Sequence, residues 1–91
     1  MEFLKDSSPT DLTIYTQPGC MNCKALIRYA ERNQLNVKVV DVSLNAEALA
    51  HIKDLGYRST PVGETATEHW SGARLDKVKA IAQQSRLKHA S

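Results

Sequence analysis

A chain of 91 residues, 42% of them hydrophobic, has enough material for one domain with its own core and not for two. Twelve lysines and arginines against ten acids leave a formal net charge of +2, and the basic residues are dispersed along the sequence, a balance that argues against a nucleic-acid binder. The opening Met1-Glu2-Phe3-Leu4-Lys5-Asp6 has early acids and no apolar run of the ~7–15 residues a signal peptide needs, and nothing approaches a membrane span, so a cytoplasmic protein is expected.

Residues 1–10 end in Ser7-Ser8-Pro9-Thr10, a polar, turn-prone stretch that reads as a flexible N-terminal extension, with a single domain over residues 11–91. Leu12-Thr13-Ile14-Tyr15-Thr16 is a short β-branched and aromatic run closed by Pro18-Gly19, a first strand. From Cys20 to about Gln34 there is no Pro or Gly, and Leu26, Ile27 and Ala30 fall at helical spacing opposite Arg28, Glu31 and Arg32. Val37 to Val42, nearly all apolar and β-branched, reads as a second strand covered on both faces. Asn45 can cap a second helix that turns Leu49, Ile52 and Leu55 inward and ends at Gly56. Strand, helix, strand, helix implies a parallel pair.

Beyond Thr60-Pro61 the signal weakens to a hairpin, Val62 to Thr65 and Thr67 to Trp70, with Gly63 an uncomfortable strand residue. After Ser71-Gly72 a closing helix carries Leu75, Val78, Ile81 and Ala82 inward as far as about Arg86, and the last five residues are expected to fray.

The chemistry lies in Cys20-Met21-Asn22-Cys23. Placed after a strand and at the start of a helix, this spacing puts two sulfurs one turn apart on the same side. The helix N-terminus, with its partial positive charge and free N–H groups, favours a thiolate at Cys20, and Lys24 adds a nearby cation. Such a pair can attack a disulfide through Cys20 and resolve the mixed disulfide through Cys23. The competing readings are half of a zinc site and a structural disulfide. Zinc needs more ligands, and there is no second cysteine pair, while His51, His69 and His89 lie far apart in three elements, so no metal is expected. A structural bridge is out of place in a reducing compartment.

Two further features bear on the same site. Thr60-Pro61 leads from a loop into a strand, a place where a cis bond would turn the chain tightly, although the residues alone leave the isomer open. Trp70, the sole tryptophan, precedes Ser71 and Gly72; it is either a core aromatic followed by a Ser cap or part of a docking surface beside the disulfide.

The run Ile14-Tyr15-Thr16-Gln17-Pro18-Gly19-Cys20-Met21-Asn22-Cys23, with Leu55-Gly56-Tyr57, Thr60-Pro61-Val62 and Glu68-His69-Trp70-Ser71-Gly72-Ala73-Arg74, resembles the NrdH-redoxin family over residues 12 to about 84. The resemblance implies an α/β thioredoxin fold, a four-stranded mixed sheet in the order β-α-β-α-β-β-α with three helices. It also implies a redox-active Cys20–Cys23 disulfide, with Cys20 the nucleophile and Cys23 the resolving thiol. Pro61 is then a cis proline facing the disulfide, and Thr60, Pro61, Trp70, Ser71 and Gly72 belong to the partner-binding surface.

Members of the family take electrons from thioredoxin reductase, hence from NADPH, with no bound cofactor, and donate them to class Ib ribonucleotide reductase; a monomer is expected. Weak or no glutathione binding is implied too. Glutathione-binding relatives usually place a Lys where Gln17 stands and a Gly-Gly with an Asp-containing helix start near Ser71-Gly72-Ala73-Arg74, and losing such charge-assisted bonds weakens binding. The NrdH pattern itself more often has a Lys at Gln17 and an aromatic at Ala73. A glutathione-dependent glutaredoxin and a thiol-switch binding or regulatory module are the alternative functions.

Overall fold

The computed structural model describes residues 10–90, with side chains through residue 84, so residues 1–9 of the expected extension and the His89 side chain lie outside the described part. Strand β1 (Leu12–Thr16) forms over the residues expected. Its alternation sends Leu12 and Ile14 to one sheet face and Tyr15 to the other. Asp11 fixes where it starts: its N–H donates to the Asn36 carbonyl at 2.8 Å and its carboxylate accepts the Asn36 N–H at 2.9 Å. The entry of β1 is thereby tied to the entry of β2 (Val37–Asp41), which runs parallel to it in the register Leu12↔Val37 to Thr16↔Asp41.

Helix α1 (Met21–Arg32) connects the two strands and buries Cys23, Leu26 and Ala30, the apolar stripe read from the sequence. It stops short of Gln34, which takes a positive φ of 62° and turns the chain toward β2. Strand β3 (Val62–Glu64) pairs antiparallel with the other side of β1, and β4 (His69–Ser71) pairs antiparallel with β3, giving the sheet order β2-β1-β3-β4. With α2 (Ala46–Asp54) and α3 (Leu75–Ala90), this is the expected element order. Two cores result. Leu12, Ile14, Leu26, Ala30, Trp70 and Val78 pack between the sheet and helices α1 and α3, while Tyr15, Val42, Ala48, Ile52 and Val62 pack around α2 on the other face.

Four expectations are corrected. Strand β2 is not covered on both faces: it is an edge strand with β1 as its one neighbour, and Val39 is 47% exposed. The hairpin strands are shorter and shifted, because Thr65 builds the turn instead of extending β3. Its hydroxyl accepts the N–H groups of Thr67 (3.2 Å) and Glu68 (3.1 Å), and its own N–H donates to the Glu68 carbonyl at 2.8 Å. Ser71 caps nothing; it is the last residue of β4, paired with Val62, and the chain turns at Gly72, whose φ is 92°, before α3 begins. Helix α3 runs to Ala90, past Arg86 and through residues expected to fray.

Helix α2 starts where the sequence says it should, and its cap is testable. Asn45 is extended, and its side-chain oxygen accepts the Ala48 N–H at 3.0 Å, satisfying one of the four free donors of the first turn. Asn45→Ala is expected to cost about 1 kcal/mol in urea unfolding, the typical value for a lost cap, and Asn45→Asp to cost little.

Candidate functional site

Cys20 and Cys23 form a disulfide across the first turn of α1, with Cα atoms 5.2 Å apart. The loop from β1 delivers Cys20 to the helix start through a turn in which its N–H donates to the Gln17 carbonyl at 3.3 Å and Gly19 takes a φ of 78°, a conformation that suits glycine. Cys20 is the N-cap: its sulfur accepts the Cys23 N–H at 3.2 Å, in the place where a capping oxygen would otherwise sit. No acid stands in the first turn of the helix, so no carboxylate opposes negative charge on that sulfur from there. The two sulfurs differ in access. Cys20 is half-buried, whereas Cys23 is 0% exposed.

The sheet register brings the other expected site residues to the same end of the molecule. Tyr15 near the exit of β1 pairs with Val62 at the entry of β3, and Val62 pairs with Ser71 at the exit of β4. The loop to Cys20, the Thr60-Pro61 segment and Gly72 therefore gather at one end of the sheet. The Thr60–Pro61 bond is cis, Pro61 is buried, and its carbonyl accepts the Gly72 N–H at 2.9 Å.

Trp70 does not join this rim. It is 5% exposed and packs among Leu12, Ile14, Leu26 and Val78 on the α1 and α3 face, so the core reading holds and its side chain offers no surface to a partner. Its indole lies directly over Gly63, its cross-strand neighbour. That close approach accounts for a glycine in the middle of β3.

The glutaredoxin sequence profile matches residues 12–69. The chain belongs to the glutaredoxin family. Its relatives include the Gene 56 protein of Mycobacterium phage D29, 35% identical over 79% of this chain and 82% of the relative. The glutaredoxin-like protein NrdH of Salmonella typhimurium is 31% identical over 77% of this chain and 86% of its own. The solved structure of NrdH-redoxin from Escherichia coli superposes with a TM-score of 0.72 at 30% identity, covering 76% of this chain and 91% of that one. This glutaredoxin-like protein is accordingly a thiol–disulfide oxidoreductase of the NrdH type, and it carries a Cys20–Cys23 disulfide.

A polar network escaped the sequence reading of this glutaredoxin-family domain. On the α2 face of the sheet the Tyr15 hydroxyl donates to Glu64 at 2.7 Å, and His51 Nε2 lies 3.0 Å from both Glu64 carboxylate oxygens. Next to it, the Tyr57 hydroxyl and His69 Nδ1 are 2.8 Å apart. Among the described residues no group of three or more His, Cys, Asp or Glu is arranged to hold a metal ion, and no helix is long and apolar enough to cross a membrane. The one local signal for the network was the cross-strand pair Glu64↔His69; His51 arrives from α2, through packing that spacing does not disclose.

Burial pushes the Tyr15 phenol up to about 12, with the hydrogen bond and charge of Glu64 acting in the same direction. Burial works to raise Glu64 as well, but hydrogen bonds from Tyr15 and His51 and the charges of His51 and His69 more than offset it, holding this carboxyl below its ordinary range. A carboxyl held lower in the folded than in the unfolded chain contributes stability above its unfolded pKa and loses it as the pH falls through its folded pKa. Wild type is thus expected to lose stability faster than Glu64→Gln below about pH 5. Urea midpoints of the two proteins should converge between neutral pH and about pH 3; a constant gap would mean that the Glu64 charge does not matter to the fold.

Proposed function

We propose that this protein is a dithiol electron carrier of the cytoplasm, reduced by thioredoxin reductase at the expense of NADPH without a bound cofactor, and acting as a monomer on protein disulfides, foremost those of class Ib ribonucleotide reductase. The observation that carries this reading is the asymmetry of the two sulfurs. Cys20 is within reach of solvent and receives an N–H hydrogen bond at the helix start, while Cys23 is sealed beneath it.

In the reduced protein the Cys20 thiolate attacks one sulfur of the substrate disulfide. That S–S bond breaks, one substrate sulfur leaves as a thiolate, and a mixed disulfide remains on Cys20. Cys23 then gives up its proton and attacks the Cys20 sulfur, which expels the second substrate thiol and closes the Cys20–Cys23 disulfide. Two electrons have passed to the substrate. Thr60, Ser71 and Gly72 supply the rim against which the partner's chain lies, at the end of the sheet where the Cys20 loop emerges, and the fully buried Pro61 supports that rim from beneath through its carbonyl's hydrogen bond from the Gly72 N–H.

Thioredoxin reductase is favoured over glutathione on two grounds. One is likeness to an NrdH-redoxin whose structure is described as the basis of a thioredoxin-like activity profile. The other is the charge around the site. Gln17, exposed before the redox pair, offers no cation for a carboxylate. An acid does stand in the first turn of α3, but Asp76 is held by Arg74 through both carboxylate oxygens, at 3.1 and 3.0 Å, and that hydrogen bonding lowers its pKa.

NADPH oxidation coupled to a disulfide acceptor tests the choice of reductase. Turnover is expected with thioredoxin reductase and to be weak or absent with glutathione plus glutathione reductase. Turnover with glutathione alone would make this a glutathione-dependent glutaredoxin, and turnover with neither would leave a thiol switch.

A further inference from the structure

Cations that look dispersed in the sequence are gathered by α1. Lys24, Arg28 and Arg32 follow one another at intervals of four residues, on the side of the helix turned away from the buried Cys23, Leu26 and Ala30. All three are exposed, and none makes an ion pair among the described residues, whereas Arg74 is paired with Asp76 and Lys77 with Glu68. The ridge is about 12 Å long at 1.5 Å per residue. It begins beside the redox pair, and Met21, 74% exposed, shares the face of Arg28 and Arg32 and stands between them and Cys20.

The fold gives no reason for this arrangement. Like charges four residues apart destabilise a helix. Lys24 also stands in the first turn, the positive end of the helix, where a cation is unfavourable. Only Arg32, in the last turn, is placed where the helix favours it.

We infer that Lys24, Arg28 and Arg32 form a docking ridge for an acidic protein surface that adjoins the disulfide attacked by Cys20. The inference rests on the electron-carrier reading and names the chemistry of the partner. A substrate disulfide must approach over the start of α1, because Cys20 is the accessible sulfur and sits at that end. Whatever part of the partner continues past Met21 along α1 then meets three cations held in no salt bridge among the described residues and outnumbering Glu31, the one acid of that helix, and carboxylates are complementary to the excess positive charge. Rim charges of this kind act chiefly on the rate of encounter, so Arg28 and Arg32, farther along the ridge than Lys24, select among protein disulfides without taking part in the exchange.

Two synthetic peptides with the same internal disulfide, one followed by a tract of glutamates and the other by glutamines, provide the probe. The pre-reduced protein is expected to reduce the acidic peptide about tenfold faster at low ionic strength, an advantage lost in about 1 M salt, where the screening length is ~3 Å. In an Arg28→Gln, Arg32→Gln variant the ratio of the two rate constants should fall toward one, and in an Arg28→Glu, Arg32→Glu variant it should invert. Both rates are read on one preparation, so loss of folded protein scales them together and leaves the ratio intact. Equal rates with the wild-type protein would overturn the ridge while leaving the dithiol reading in place. Failure to reduce either peptide would overturn the electron-carrier reading and the ridge with it. Binding of a single-stranded oligonucleotide through the same arginines, with no preference between the peptides, would assign the ridge to nucleic acid and overturn the proposal.

Discussion

Serine in place of Cys20 is expected to abolish turnover with thioredoxin reductase, by roughly a thousandfold or more, because the attacking sulfur is removed and the thiol that remains, Cys23, is sealed from any substrate disulfide. Cys23→Ser should behave differently: it retains the attacking thiolate, forms one equivalent of mixed disulfide with the acceptor, and stops there, an adduct visible by intact mass. The second variant needs a companion. Cys23 is 0% exposed, and a serine hydroxyl at that depth without a partner costs about 1–3 kcal/mol. Cys23→Ala removes the resolving thiol without burying a new polar group, so trapping by both variants would assign the effect to the missing sulfur. Full turnover by Cys20→Ser, or release of product by Cys23→Ala, would sink the division of labour between the two cysteines.

The parts of the fold that could be read from the chain are those whose causes are local. Leu12 to Thr16 announces itself by alternation and by the Pro18-Gly19 that follows, and Asn45 and Gly56 mark the ends of α2 by chemistry confined to a few residues. The Cys20–Cys23 pair was legible for the same reason, since both sulfurs lie in one helical turn. Where the cause is distant, the chain was silent. The apolar run in β2 reads the same whether the strand is central or at an edge; only the sheet order decides, and it leaves Val39 half in solvent. The Glu64 network joins residues up to 49 apart in sequence, Tyr15 to Glu64, and depends on α2 lying across β1 and β3. The rim of the site is a mixed case. No spacing brings Pro61 to Gly72, and it was family likeness rather than residue chemistry that put both beside the cysteines. Thr65 shows a smaller failure: its β propensity favoured the strand, but a hydroxyl that caps two backbone N–H groups is worth more in the turn.

Gly63 and Trp70 carry the other large effect, and they turn an awkward residue of the sequence into a packing requirement. A Cβ at position 63 would lie 2.4 Å from Cζ2 and 2.5 Å from Cε2 of Trp70, closer than any tolerable contact. The rigid indole cannot swing aside, because it is itself packed against Leu12, Ile14, Leu26 and Val78. Gly63→Ala should therefore destabilise by about 1–3 kcal/mol, the usual cost of overpacking. For a domain of this size the corresponding fall in Tm is about 4–8 °C per kcal/mol. Trp70→Leu, which opens space over position 63, should itself be costly, yet adding Gly63→Ala to it should cost much less than adding it to wild type. Circular-dichroism melts of the four proteins give the coupling directly. Equal penalties for Gly63→Ala in both backgrounds would mean that the glycine is required by the backbone and not by the ring. The same variants separate the core role of Trp70 from a docking role: assayed well below its transition, Trp70→Leu should keep its kcat/KM with thioredoxin reductase, because a side chain 5% exposed has almost no surface to lose from an interface.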